Sequence, residues 1–404
     1  MSDARRVPDG THGAADWDPR AADVLADQGA AYDAMRDRCP VARDPAGGWT
    51  VFRHADVVRV LHDHAGFSNV VSRHISVLNG MDPPTHTVYR RLIEPYFDGA
   101  LVAAFEPVCR PIAAALVDDV CVRQNVDVMA DLALPFAARA QCAYLGWPMD
   151  LAAPLINWTS RNHDATLEGD REALQAIARE LETLVADLIA SRQARGATET
   201  VDLTDRLMRE TVGGRPLALE ELTSILRNWT MGEVATLAAS IGIVVHAVAD
   251  AIDLQYQLRR YLQLLPAAID ELLRVHGPLV SNRRRVTGPV ELGGRTLQAG
   301  DRLTINWISA NRDPDVFDLP DTFRLDRNPA DSLLYGSGIH VCPGAQLARL
   351  ELRIVIEELL AASLLIEPSS EARPTLASPP ASGYATLPIH VIRAGDARRR
   401  RGPA

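Results

Sequence analysis

The sequence predicts a mainly helical fold with a small β portion, built as one domain. Three observations carry this. Residues 85–196 follow a helical hydrophobic period almost throughout; Leu219–Asp250 runs 32 residues without a proline; and strand-like runs gather around Gly-rich turns at either end. No repeat or low-complexity linker divides the 404 residues, although length alone would suggest two or three domains. The expected organisation is a mobile lead-in over 1–18, a single domain over 19–395 and a basic tail over 396–404.

Each element has a local reason. A helical pattern over 21–38 is followed by the turn Asp44-Pro-Ala-Gly-Gly48 and a short alternating strand at 49–52. Residues 54–64 place Val57, Val58, Val60 and Leu61 at helical spacing, whereas 67–81 has no clean period and reads as a loop or short helix. The long helical stretch breaks at Asp98-Gly99, Gly146-Trp-Pro148 and Gly169-Asp170. After a turn at 211–216, the proline-free helix would be roughly 48 Å long at about 1.5 Å per residue. Its second half is apolar nearly all round, so it should pass through the middle of the fold. A helix over 266–276, strands within 290–297 and 302–307, and a last helix from just after Pro343 to near Ser363 complete the chain.

Composition narrows the chemistry. All 42 basic residues are Arg, so reactions that need a Lys are excluded: an internal Schiff base, a P-loop or a kinase-type phosphate site. Against 52 acidic residues the net charge is −10, which argues against a nucleic-acid surface. The cysteines (Cys39, Cys109, Cys121, Cys142, Cys342) are odd in number and contain no CxxC pair, so neither a disulfide framework nor a zinc ribbon is indicated. A reducing cytoplasm fits. The N-terminus lacks the apolar run of a secretory signal, and the most apolar internal run, 234–249, falls short of the roughly 18 to 20 residues of a membrane span.

The informative segment is Tyr335-Gly-Ser-Gly-Ile-His-Val-Cys-Pro-Gly344. Its glycines let a loop fold tightly against a flat ligand, and Pro343 stands where a helix begins. Cys342 then lies at a helix N-terminus, where backbone N–H groups and the dipole favour a thiolate, the donor an iron ligand requires.

On these residues the chain resembles the cytochrome P-450 haem-thiolate monooxygenases. The family's proximal loop has an aromatic seven before the Cys, Gly at minus six and minus four, a basic residue at minus two and Gly at plus two. Tyr335, Gly336, Gly338, His340 and Gly344 occupy those places, with Tyr335 where Phe is usual. Glu271-Leu-Leu-Arg274 is similar to the family's Glu-x-x-Arg pair, whose spacing puts both side chains on one helix face. Their third partner is often Arg or His just before Phe323; Thr322 stands there, leaving Arg324 as the candidate substitute. Met81-Asp-Pro-Pro-Thr-His-Thr-Val-Tyr-Arg90 resembles the entry to a helix whose His and Arg bind a haem propionate, a role that falls to His86 and Arg90. Arg284, ten residues before Gly294, aligns with the third propionate residue, with Arg283 and Arg285 leaving the register open by one.

The central helix departs from the family. Where members show Ala-Gly-x-(Asp/Glu)-Thr-(Thr/Ser), an acid and alcohol that relay protons, this chain reads Met231-Gly-Glu-Val-Ala-Thr236. Gly232 fits the position that leaves room for oxygen, but Val234 and Ala235 replace the acid and alcohol. Glu233 and Thr236 are each displaced by one, and a local widening of the helix would present them as a substitute relay; otherwise Glu233 is a buried acid with a structural partner. Substrate contacts carried over by position are Ile75, Leu78, Val234, Ala235, Leu279, Val280 and Tyr384.

The resemblance implies a single-domain P-450 fold, with a long central helix over the haem and a β-rich lobe. It implies heme b, with Cys342 as axial ligand favouring O–O cleavage. It also implies a soluble, monomeric enzyme of bacterial type that takes electrons from a ferredoxin or flavodoxin and its reductase, docked on Arg residues at the Cys342 side. The reaction expected is hydroxylation of a small organic molecule. The altered helix motif keeps open oxidative coupling of aromatic groups in a peptide or phenolic product, peroxide-driven oxidation, and a haem sensor that never turns over.

Overall fold

The computed structural model describes residues 15–195, 202–379 and 381–395; the expected basic tail over 396–404 and most of the lead-in lie outside them. Where the lead-in is described it is docked. Trp17 packs edge-on against Phe52 at 5.0 Å and Tyr32 at 6.2 Å, and Asp16 accepts from the Arg43 N–H and pairs with Arg295. The helix expected over 21–38 is two, Ala22–Ala26 and Gln28–Arg38, because the Asp27 carboxylate caps the second by accepting from the Ala30 N–H at 3.0 Å.

The β-rich lobe is a five-stranded sheet in the order Val41–Arg43, Trp49–Val51, Arg302–Asn306, Ser281–Val286, Phe67–Ser68. Its central strand Arg302–Asn306 runs parallel to Trp49–Val51 and antiparallel to Ser281–Val286. Alternation along Ser281–Val286 buries Arg284 and Val286 and exposes Arg283 and Arg285. Strands Ser363–Pro368, Pro388–Arg393 and Asn125–Asp127 form a second sheet. The last of these interrupts the stretch expected to be helical.

The helical body is layered around Leu219–Asp250, which forms one continuous rod as expected. Its residues from Ala238 to Val245 are all buried. Helices Gly99–Arg123 and Ala345–Ala362 pack side by side against this body. Gly99–Arg123 and Leu219–Asp250 both have the length and apolarity of a membrane span, contrary to the sequence expectation. The second is a core helix of the fold. Its N-terminal turn is tied down by Glu221, which accepts from the Ala218 N–H at 2.7 Å, from Tyr89, and from Arg215 through two bonds of 2.8 Å. That carboxylate is held down to about 2, chiefly by the Arg215 guanidinium.

Candidate functional site

Cys342 sits on the loop between the β lobe and Ala345–Ala362. Its N–H donates to the Tyr335 carbonyl at 2.8 Å, closing the loop on itself. Gly336 and Gly338 have φ of 74° and 69°, and a Cβ on Gly338 would lie 2.5 Å from the Leu61 carbonyl oxygen, so both positions require glycine. Gly344 is different from the sequence expectation: its φ is −83°, open to any residue, and its bare Cα leaves space between Phe97 and the Cys342 sulfur. Pro343 precedes the cap residue Gly344 rather than opening the helix itself. The thiol is accessible while deeply surrounded by protein, so it faces an interior space. Burial pushes the thiol pKa up, and the Gly344 N–H pulls the other way.

Around that space His86, His340 and Arg284 form no ion pair among the described residues, although the Asp82 carboxylate lies near enough to act on all three. His86, on Thr85–Ile93, and His340, on the Cys342 loop, bring their rings to 4.3 Å, and the Nε2 of each is buried without a partner. Burial, with each other's field added, lowers the His340 pKa to about 3; burial followed by the Arg90 charge lowers that of His86. Arg284 is buried with one hydrogen bond, to the Arg283 carbonyl, and burial pulls it down to about 10. A cation and two orphaned ring nitrogens beside an accessible thiol fit a flat iron cofactor that carries carboxylates. Arg90 has a second attachment, donating to Glu94 at 2.7 Å and to the Val341 carbonyl at 2.6 Å, so it also braces the Cys342 loop. Tyr335 lies under the Arg349 guanidinium at 4.4 Å, and its hydroxyl is buried without a partner, the cost of the Phe-to-Tyr departure.

The central helix widens at the displaced motif, one of the two arrangements the sequence left open. Met231–Leu237 is a π-helical turn between Leu219–Thr230 and Ala238–Asp250. Gly232 is exposed, and a Cβ there would meet nothing within 4 Å. Ala235 and Thr236 are partly accessible. Glu233 turns instead to Glu351 on Ala345–Ala362; the two carboxyls are within hydrogen-bonding reach, Glu351 is fully buried and Glu233 partly so, and burial raises both pKa values. Glu351 is the functional-site residue that sequence reasoning missed. Its signal was present: an acid four residues after Leu347 and three before Ile354, on the helix face that is otherwise apolar.

The substrate positions divide. Ile75, Ala235, Leu279 and Tyr384 are partly accessible. Leu78 and Val234 are buried in the main core and Val280 in a small cluster of the β lobe with Phe52 and Ile308, so packing occupies all three. Tyr384 stacks on His246 of the central helix at 4.7 Å.

Glu271 and Arg274 form the expected pair through bonds of 2.7 and 2.9 Å. The third partner is Arg327, whose Nε donates to Glu271 at 2.8 Å. Arg324 corrects the expectation: only its backbone N–H reaches Glu271, and its guanidinium turns outward to Asp318 and Asp326. Arg274 further donates to the Asn311 and Pro320 carbonyls, pinning the segment that leads to the Cys342 loop.

A family model described as Cytochrome P450 matches residues 146–389. The erythromycin C-12 hydroxylase of Saccharopolyspora erythraea is 31% identical, over 83% of this chain and 88% of its own. The cyclomarin C epoxidase CymV of Salinispora arenicola is 31% identical, over 80% of this chain and 86% of its own. Among solved structures, P450 CYP109Q5 from Chondromyces apiculatus superposes with a TM-score of 0.84 at 28% identity, covering 94% of this chain and 98% of that one. A P450 EryK mutant in complex with erythromycin B gives 0.83 at 28%, covering 91% and 97%.

Proposed function

The chain belongs to the cytochrome P450 family, a haem-dependent oxidoreductase of monooxygenase type, and from that premise we propose that it hydroxylates a small organic molecule with electrons from a separate ferredoxin or flavodoxin. One observation carries the reading: the accessible Cys342 thiol faces the same interior as His86, His340 and Arg284, none of which forms an ion pair with a carboxylate among the described residues. Cys342 would hold the iron of heme b, and the three basic groups its propionates. When bound, the haem supplies activation of dioxygen.

The chain's own residues do the rest. Gly232 keeps the helix wall open where oxygen must fit. Thr236, partly accessible on the π turn, offers the hydroxyl, and Glu233, raised to about 7 by burial beside Glu351, is the acid that exchanges a proton with it. The relatives named above for hydroxylation and epoxidation support oxygen insertion into a natural product, and the absence of an acid at Val234 and an alcohol at Ala235 favours oxidative coupling as the second reading. We place the protein in the cytoplasm, as a monomer.

Cys342→Ala should abolish the red-shifted Soret band of the reduced carbon monoxide complex, and retention of that band overturns the ligand assignment. Isotopic oxygen in the product identifies insertion; its absence, with a new carbon–carbon or carbon–oxygen link, identifies coupling.

A further inference from the structure

Arg227 lies on Leu219–Thr230, one turn before the π segment, and is only partly accessible. Its single hydrogen bond runs from Nη2 to the Ile75 carbonyl at 2.9 Å. Apart from Arg284, already assigned to a cofactor carboxylate, other sunken arginines are compensated: Arg36 by Asp33, Arg192 by Asp202, Arg274 by Glu271. Arg259, which has no carboxylate, is filled by the Leu360 and Ser363 carbonyls and the side chains of Gln255 and Ser363. Among the described residues no carboxylate forms an ion pair with Arg227, and the one acid whose field it feels is the exposed Glu182. Burial lowers its pKa, so the charge sits there at a cost.

Holding the loop does not account for that cost. Ser224 Oγ accepts from the Val77 N–H at 2.8 Å and donates to the same Ile75 carbonyl at 3.2 Å, and Asn228 donates to the Val77 carbonyl at 3.0 Å. The loop is already fastened without Arg227. A guanidinium has five N–H donors, and those not used here are not sealed in the core. Arg227 and Met231 lie one turn apart and are both partly accessible, as is Ile75, the candidate substrate position whose carbonyl Arg227 holds, so the cation stands beside that position on the approach to the π turn that carries Gly232.

We infer that Arg227 anchors a carboxylate of the substrate, so that the molecule oxidised is an organic acid held at one end by its charge. Five positions separate Arg227 from Gly232, a rise of about 7.5 Å along the helix axis, so the carboxylate lies away from the carbon that is oxidised. A planar guanidinium suits this task because it can bind both carboxylate oxygens. The inference rests on the monooxygenase reading, with substrate lying over Gly232.

The test is a spin-state titration of the haem-loaded enzyme with a panel of aliphatic and aromatic carboxylic acids, each beside its methyl ester. The wild type should bind at least one acid more tightly than its ester. Arg227→Gln should weaken that acid by about tenfold or more while leaving the ester within about twofold, and Arg227→Lys should retain part of the affinity. No acid in the panel outbinding its ester, or an unchanged acid affinity in Arg227→Gln, overturns the inference. The carbon monoxide Soret band is recorded on each protein: its loss in a variant marks a misfolded site and leaves the Lys variant to decide, whereas its absence in the wild type strikes the monooxygenase reading instead.

Discussion

Glu233 and Glu351 bring two carboxyl groups together, from the π turn of the central helix and from Ala345–Ala362, and among the described residues neither pairs with a cation. Burial raises both pKa values above the ordinary value of 4.5, and the Glu233 charge raises that of Glu351 further. Groups whose folded pKa is raised bind more protons folded than unfolded, so they weaken the fold as pH rises from about 4.5 through the raised values. Glu351→Gln removes that penalty. Its stability relative to wild type should increase by about 1 kcal/mol or more between roughly pH 5 and 8, since a tenfold change in proton affinity between the folded and unfolded chain corresponds to about 1.4 kcal/mol. A difference that stays flat across that range in parallel denaturant titrations would show that the dyad carries no shared proton.

Thr236 and Glu233 should govern coupling rather than substrate affinity. In Thr236→Ala and Glu233→Gln, reductant consumption should continue while product falls by about tenfold, with spin-state dissociation constants unchanged, since loss of a proton-transfer group costs roughly 10²-fold to 10⁴-fold when no water replaces it. Coupling equal to wild type in both variants assigns Glu233 to structure alone.

Arg284 should be the strongest of the carboxylate-binding groups, because it is a buried permanent cation with one backbone partner. Arg284→Ala loses a charge-assisted bond worth about 1.5–3 kcal/mol, which corresponds to haem transfer to apomyoglobin about 10-fold to 100-fold faster. The exposed neighbours Arg283 and Arg285 should be silent in the same assay. Equal effects at all three positions would refute the register.

Arg327, not Arg324, completes the Glu271–Arg274 cluster. Arg274→Ala strands a buried carboxylate and should cost about 3–5 kcal/mol. Arg327→Ala should cost about 1–3 kcal/mol, and Arg324→Ala, whose guanidinium pairs only with exposed Asp318 and Asp326, within about 0.5 kcal/mol. Urea unfolding of the three variants ranks them directly, and an Arg324 effect matching that of Arg327 contradicts the geometry.

What could be read from the sequence was chemistry confined to a short segment. The Cys342 loop states its own geometry in ten residues, and the central rod is visible because its second half is apolar on every face. His86 and Arg90 were legible as one helix face. The third partner of Glu271 was not, because Arg327 lies in an aperiodic loop and only the tertiary path aims it inward. Arg227 looked like any polar residue of an amphipathic turn, since lack of a partner is a property of what surrounds a side chain. The small strands Asn125–Asp127 and Ser363–Pro368 find their partners far along the chain, where no local period announces them.

The π turn is in effect one extra residue placed within a helix. Such a residue turns everything on one side by about 100° relative to the other, so Leu219–Thr230 and Ala238–Asp250 are two separately phased rods joined in series. The first rod faces Ser224, Arg227 and Asn228 toward the 75–77 loop; the second stacks His246 on Tyr384. Deleting any residue between them would swing the loop-fastening face away from the hairpin that carries Tyr384. Glu233, one place before the family's acid, and Thr236, one place after its alcohol, both lie on the turn that absorbs the extra residue.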